Sequence, residues 1–247
     1  MNFYAITDTG RVRQSNQDFV FASDSRVGTL TNLYIVADGM GGHNAGEVAS
    51  EYAIKTALSA VRASTVRDPE EVLVSAVSKA NRAVFLRQRS ETSMQGMGTT
   101  FVAATIDDGV LHVVNVGDSR LYIISGGRIT QLTRDHSVVE EMVRRGFLTE
   151  EDASHHRLKH KITRAVGVEE QVEVDTFRQE LAGDEILLMC TDGLTNMVPD
   201  PTISKVLSSG GSLKERTDKL LHLANENGGV DNITILTIEP FAEEVEE

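Results

Sequence analysis

Four aspartates, far apart in the chain, each stand where an apolar strand-like run meets a glycine or a turn. The run 33–37 leads into Asp38-Gly39-Met40-Gly41-Gly42, and 111–116 leads into Gly117-Asp118-Ser119-Arg120. The run 186–191 leads into Asp192-Gly193, and Asp231-Asn232 opens the run 233–238. A carboxylate at a strand end is fixed by the sheet yet stays open to water. Several of them can converge on one point, and like charges at close range converge only around cations. All-oxygen donors select hard ions, Mg²⁺, Mn²⁺ or Ca²⁺, over Zn²⁺. Two such ions about 3.5–4 Å apart, bridged by one carboxylate, lower the pKa of a bound water and aim it at an electrophile. Phosphorus in a phosphate ester is the natural target, because metals offset its charge. Arg13 follows the turn Asp8-Thr9-Gly10 and precedes Asp18 by five residues. Its guanidinium can hold two phosphate oxygens at once, which lysine cannot.

Taken singly, each feature has a plainer reading. Asp-Gly at a strand end is most often a turn former. Asp118 can cap a turn, a lone arginine is commonly a surface charge, and Gly39, Gly41 and Gly42 can simply supply positive-φ turns. The joint pattern carries the argument.

The elements that must position these residues are legible from periodicity. Strands are predicted at 2–7, 18–23, 33–37, 101–106, 111–116, 121–125, 172–177, 185–190 and 233–238. Asp107-Asp108-Gly109 and Gly126-Gly127 mark hairpins. Apolar residues at helical spacing predict a helix over 47–62. Asp68-Pro69 starts a second helix to about residue 89, with Asp at the N-cap and Pro in the first turn. A further helix is expected at 212–227, and a short one at 138–145 inside a charged stretch from 137 to 161. Strands in meander order with inserted helix pairs argue for an α+β fold, two packed antiparallel sheets with helices outside. Alternating βαβ units, which a parallel sheet needs, are absent.

Composition narrows the function. A chain of 247 residues suits one large domain. No run approaches 18 consecutive apolar residues, and residues 1–8 lack a basic region followed by an apolar stretch, so no export signal is expected. A single cysteine, Cys190, fits a reducing compartment, so a cytoplasmic location is expected. Cys190 lies in a strand run and reads as a packed thiol rather than a nucleophile. His155-His156 and His160 lack the cysteine or second cluster that a zinc site would want. The formal net charge of −13 argues against a nucleic-acid partner, and part of it lies in the acidic tail 241–247.

At this point a resemblance is specific. Arg13-x4-Asp18, Asp38-Gly39-Met40-Gly41-Gly42-His43, Met97-Gly98-Thr99-Thr100, Val116-Gly117-Asp118-Ser119-Arg120, Leu132-Thr133-x-Asp135-His136-Ser137, Thr191-Asp192-Gly193-Leu194 and Asp231-Asn232-Ile233-Thr234 follow one another in order over residues 3–238. This resembles the type-2C metal-dependent serine/threonine protein phosphatases (PPM family) in their compact bacterial form. The resemblance implies a central β-sandwich flanked on both sides by helix pairs, one catalytic domain over 1–240, and a flap at about 137–166. It implies hydrolysis of phosphoserine and phosphothreonine in proteins by water or hydroxide activated at a Mn²⁺ or Mg²⁺ pair. Asp38 would bridge the two ions, Gly39 would ligate one of them through its carbonyl, and Asp192 and Asp231 would complete the other ion's shell. Asp118 with Asp192 would hold a third ion. Arg13 would grip the phosphate, and Asp18 would order the attacking water. A bacterial Ser/Thr kinase and its targets are the implied partners, and a monomer suffices.

Two departures stand out. Animal members carry a histidine two residues after the bridging aspartate, where Met40 stands here; His43 is the nearest imidazole for proton transfer or substrate contact. Gln17 precedes Asp18 where many relatives have glutamate, and a neutral amide implies a weaker hold on metal. Rival readings are a phosphatase for small phosphate esters, an inactive metal-binding regulatory module, and a metal-dependent nuclease, the last opposed by the charge.

Overall fold

Alternation in one strand sets the layering. In β3 (Leu33–Met40), Tyr34 and Val36 face one side while Leu33, Ile35 and Ala37 face the other, and all five are buried. A strand apolar on both faces must be covered on both. The computed structural model describes residues 1–42 and 45–242 and provides that cover.

One sheet runs β1 (Asn2–Asp8), β11 (Ile233–Glu239), β10 (Ile186–Cys190), β7 (Arg120–Ser125) and β8 (Arg128–Gln131). The other runs β2 (Asp18–Ser23), β3, β5 (Phe101–Asp107), β6 (Val110–Val116) and β9 (Asp175–Glu180), with the short β4 (Gly98–Thr99) paired to β3. Every ladder is antiparallel. Between the sheets, Tyr34, Val36 and Val102 meet Leu187, Met189 and Leu236. Outside the second sheet lie α1 (Ala45–Arg62) and α2 (Pro69–Ser90). Ala49, Ala53 and Ala57 let α1 close on Leu33 and Ile35. Outside the first sheet, α6 (Asp200–Leu207) and α7 (Leu213–Glu226) cover the opposite faces of β10 and β11, with Val206 and Leu220 packed on Leu188, Cys190 and Ile235. The predicted two-sheet sandwich between helix pairs is the fold.

The helix cap read in sequence is present, the Asp68 side chain accepting from Glu71 N; α7 adds a cap that the sequence reading did not name, a capping box of Ser212 with Glu215. One strand is displaced. The expected strand 172–177 is β9, which begins three residues later and pairs Asp175 with Asn115. Val172 and Val174, which supplied the apparent alternation, instead pack against the α1/α2 core. Not anticipated were β4, β8, α4 (Glu150–His155), the single-turn α5 (Asp192–Thr195) and α6. β4, β8, α4 and α5 are too short for periodicity to register. The segment 137–166 carries α3 (Val138–Arg144) and α4, and is fastened at its ends by bridges Ser137–Ile162 and Thr99–Val166. Among the described residues no helix is long and apolar enough to cross a membrane.

Candidate active site

Strand pairing brings the first two acids together: the β2–β3 register sets Asp18 directly opposite Asp38. Like charges in that position repel. Asp18 is buried; its Oδ2 accepts from Thr191 Oγ1 at 2.9 Å while its Oδ1 has no hydrogen-bond partner. Burial, reinforced by Asp192 and Asp231, pushes its carboxyl up to about 7 against the pull of its threonine hydrogen bonds. The Asp38 peptide is clamped. Its N–H donates to Thr100 Oγ1, and its carbonyl accepts from Thr99 Oγ1 and Thr100 N, each at 2.8 Å. Burial first, then Asp18, Asp192, Asp118 and Asp231, drive the Asp38 carboxyl well above its usual range.

Gly39 has to be glycine. A Cβ there would lie 2.0 Å from the Gly46 carbonyl oxygen and 2.6 Å from that of Gln17, so no side chain fits between β2 and the start of α1.

Asp118 sits in the β6–β7 turn, which Gly117 enters at φ +106°. Asp135 and His136 hold that turn from the side. Gly117 N donates to His136 Nδ1, His136 N donates to the Gly117 carbonyl, both at 3.0 Å, and Arg120 Nη2 donates to Asp135 at 2.7 Å. A hydroxyl pair, Thr100 Oγ1 with Ser119 Oγ at 2.7 Å, ties the turn to the Asp38 strand. Burial, then Asp192 and Asp135, pushes Asp118 to about 7.

The first sheet supplies the remaining acids. Asp192 opens α5 and accepts from Asn196 Nδ2 at 2.9 Å. Gly193 beside it leaves room for the chain at Asn232, whose carbonyl oxygen would be 1.9 Å from a Cβ. Asp231 accepts from Asn232 N at 2.8 Å and pairs with Arg13 Nη2 at 2.8 Å. Asn232 is the knot of this corner: its Oδ1 accepts from Gln17 N, and its Nδ2 donates to the carbonyls of Thr9 and Ser15, all at 2.9 Å.

Arg13, Asp38, Gly39, Asp118, Asp192 and Asp231 line one cavity of about 430 Å³, at the edge where the two sheets meet. Asp18 lies beneath it, in contact with the same strands. His43 lies outside the described residues. His160, set aside in the sequence as a zinc ligand, enters the cavity from the 137–166 segment with Nδ1 3.8 Å from Asp192 Oδ2. That carboxylate holds the imidazole above its ordinary pKa. Thr100, Thr191, Asn196 and Asn232 were also missed as supports, although Thr100, Thr191 and Asn232 lie inside the motifs. A larger hollow of about 880 Å³ lies beside the 137–166 segment. Two of its acids, Asp135 and Asp200, are engaged by Arg120 and Tyr122, so the smaller cavity is the better chemical site.

Among the described residues no group of three His, Cys, Asp or Glu side chains is already drawn into ligating geometry. The fit to a cation therefore rests on donor chemistry. The donors are carboxylates and one carbonyl, burial with mutual repulsion added lifts three of the acids, and the buried Asp18 Oδ1 lacks a partner. Hard divalent ions match that set.

Acids from both sheets beside an arginine define a hydrolytic centre for phosphate esters, and comparison with known proteins agrees. The family model for protein phosphatase 2C matches residues 9–233. The serine/threonine phosphatase Stp of Listeria innocua is 42% identical over 239 residues, covering 94% of this chain and 93% of that protein. The S. agalactiae serine/threonine phosphatase superposes with a TM-score of 0.89 at 36% identity, covering 96% of this chain and 98% of that one. The catalytic domain of the phosphatase PstP, solved with two manganese ions, superposes with a TM-score of 0.83 at 35% identity over 96% of each chain. The chain belongs to the protein phosphatase 2C family and is a protein serine/threonine phosphatase.

Proposed function

We propose that this phosphatase hydrolyses phosphoserine and phosphothreonine in proteins, using water activated at a Mn²⁺ or Mg²⁺ pair. The observation that carries the reading is the convergence of Arg13, Asp38, Gly39, Asp118, Asp192 and Asp231 on one cavity. Asp38 and the Gly39 carbonyl would hold one ion; Asp38, Asp192 and Asp231 would hold the other; Asp118 with Asp192 would hold a third. When bound, such ions acidify water and neutralise phosphate charge.

The chain's own residues do the rest. Arg13, at the rim beside Asp231, presents a planar guanidinium that orients the phosphate through paired hydrogen bonds. Asp18 has one carboxylate oxygen fixed by Thr191, which leaves Oδ1 to orient the attacking water. His43 is the sequence's candidate for proton transfer to the departing serine or threonine oxygen. His160 is the imidazole that the described residues bring into the cavity. Residues 1–240 act as one catalytic domain, cytoplasmic and monomeric, opposing a Ser/Thr kinase whose products it dephosphorylates.

The test is hydrolysis of a phosphothreonine peptide by metal-stripped protein, with Mn²⁺, Mg²⁺, Zn²⁺ or nothing added back. Activity returns with Mn²⁺ or Mg²⁺ and is lost in Asp192→Ala or Asp231→Ala with the fold retained. No turnover under any ion, in folded protein, would point to a regulatory module.

A further inference from the structure

Among the site acids, Asp118 is anchored in its own way. Asp18, Asp192 and Asp231 each have a carboxylate oxygen held by another residue's side chain, Thr191, Asn196 and Arg13 in turn. Asp118 takes a hydrogen bond from its own backbone N–H, so its position follows that of the β6–β7 turn. Gly117 enters that turn at φ +106°, and a Cβ there would lie 2.7 Å from Thr100 Cβ. Whatever fixes the Gly117 peptide therefore fixes where the Asp118 carboxylate stands.

The Gly117 carbonyl accepts from His136 N at 3.0 Å and from Asn115 Nδ2 at 3.3 Å. Its N–H goes to a side chain, His136 Nδ1, at 3.0 Å. A ring that accepts at Nδ1 is neutral and carries its proton on Nε2. Asp175 Oδ2 stands 3.2 Å from Nε2 to receive it. Arg164 Nη1, 3.0 Å from the same nitrogen, donates to the other oxygen of that carboxylate at 2.6 Å. Burial keeps the ring below its ordinary pKa, against the pull of Asp175. The base of the 137–166 segment closes on the same residue, whose carbonyl accepts from Thr163 N at 2.7 Å. A satisfied buried histidine is commonly a packing residue. This one spends its acceptor nitrogen on the peptide that precedes a site acid.

We propose that His136 is a positioning residue for the ion that Asp118 and Asp192 would hold: its ring, oriented by Asp175, fixes the Gly117 peptide and through it the Asp118 carboxylate. The proposal rests on the phosphatase reading and assigns to a residue outside the cavity the control of one of its ions. Partners that orient a ligand from behind set metal affinity by about 10–100-fold. The two halves of the ring are separable by substitution. Asparagine carries its oxygen about where imidazole Nδ1 stands and can accept from Gly117 N. Glutamine reaches the place of Nε2, beside Asp175, and leaves the Gly117 N–H without its acceptor.

The test titrates metal-stripped protein with Mn²⁺ and follows the free ion by its electron paramagnetic resonance signal, so binding is read without substrate. Urea unfolding first shows that His136→Asn and His136→Gln are folded. The wild-type isotherm is expected to hold three ions. In His136→Gln one of them, the ion that Asp118→Asn also removes, weakens by about tenfold or more while the other two keep their affinity. In His136→Asn that ion stays. The Mn²⁺ concentration for half-maximal turnover of a phosphothreonine peptide rises by the same factor in His136→Gln, with KM for the peptide unchanged. A wild-type isotherm in His136→Gln overturns the positioning role. So does equal weakening in both variants, or weakening of all three ions together, which marks a structural residue. A wild-type isotherm of two ions, with the peptide turned over, overturns it too and leaves the phosphatase reading intact. If folded wild-type protein turns over no peptide under Mn²⁺, the phosphatase reading fails and the proposal with it.

Discussion

Asp18 and Asp38 face each other across one ladder, and a fold driven by stability alone would not place two carboxylates there. Their raised pKa values express a free-energy cost that the site carries for its chemistry. Replacing Asp38 by asparagine removes one repelling charge at constant size. In the presence of chelator, Asp38→Asn is expected to unfold in urea at a higher midpoint, by about 1–2 kcal/mol. Its kcat should meanwhile fall by at least about 10²–10³-fold, the scale for losing a group that acts on the transition state. A variant that loses stability along with activity would mean that Asp38 is a structural residue. The site acids were legible because each ends an apolar strand run, a pattern local to the sequence. The roles of Thr100, Thr191 and Asn232 were not, because their partners lie 62, 173 and 215 residues away. His160 reaches the cavity only through the path of the 137–166 segment, which no local period encodes.

At the scale of elements, the question is what holds strand ends to loops. Asn232 joins the start of β11 to both ends of the β1–β2 loop, using both amide hydrogens and its carbonyl oxygen in doing so. Asn232→Ala leaves a backbone N–H and two carbonyls without these bonds, at a cost of about 2–4 kcal/mol. Asn232→Asp should be no rescue, since a carboxylate cannot donate to the Thr9 and Ser15 carbonyls. Chemical denaturation of both variants checks this, and a cost below about 0.5 kcal/mol would reduce Asn232 to a bystander. Glu185, in the turn between β9 and β10, makes a pH prediction. Burial raises its pKa, but the N–H groups of Ala182 and Gly183 outweigh that and hold it below its ordinary value. A carboxyl lowered on folding adds stability above its unfolded pKa, and loses it as pH falls through the folded one. The stability gap between wild type and Glu185→Gln should therefore be open at pH 7 and close progressively below the model-peptide value of 4.5. The long elements carrying these contacts could be read from period and caps. The displaced β9 could not, because Val172 and Val174 alternate as a strand would while packing on helices.

Across the whole molecule, the site is a seam. Asp38 and Asp118 come from the sheet of β3 and β6, while Asp192 and Asp231 come from the sheet of β10 and β11. Any cation shared among them ties the two halves of the sandwich together, where the acids alone push them apart. Binding to the folded chain only should stabilise it by about 2.7 kcal/mol at a hundred times the dissociation constant. For a chain of this size that is a rise of roughly 5–10 °C in Tm. Mn²⁺ added to metal-stripped protein is expected to give that shift in a melting experiment with no substrate present. The shift should be lost in Asp38→Asn and in Asp192→Ala alike, because each removes the link from one sheet. An undiminished shift in either variant would mean that the ion sits within one half of the sandwich, and that the two sheets are joined by their shared core of Tyr34, Val102, Leu187 and Leu236 alone.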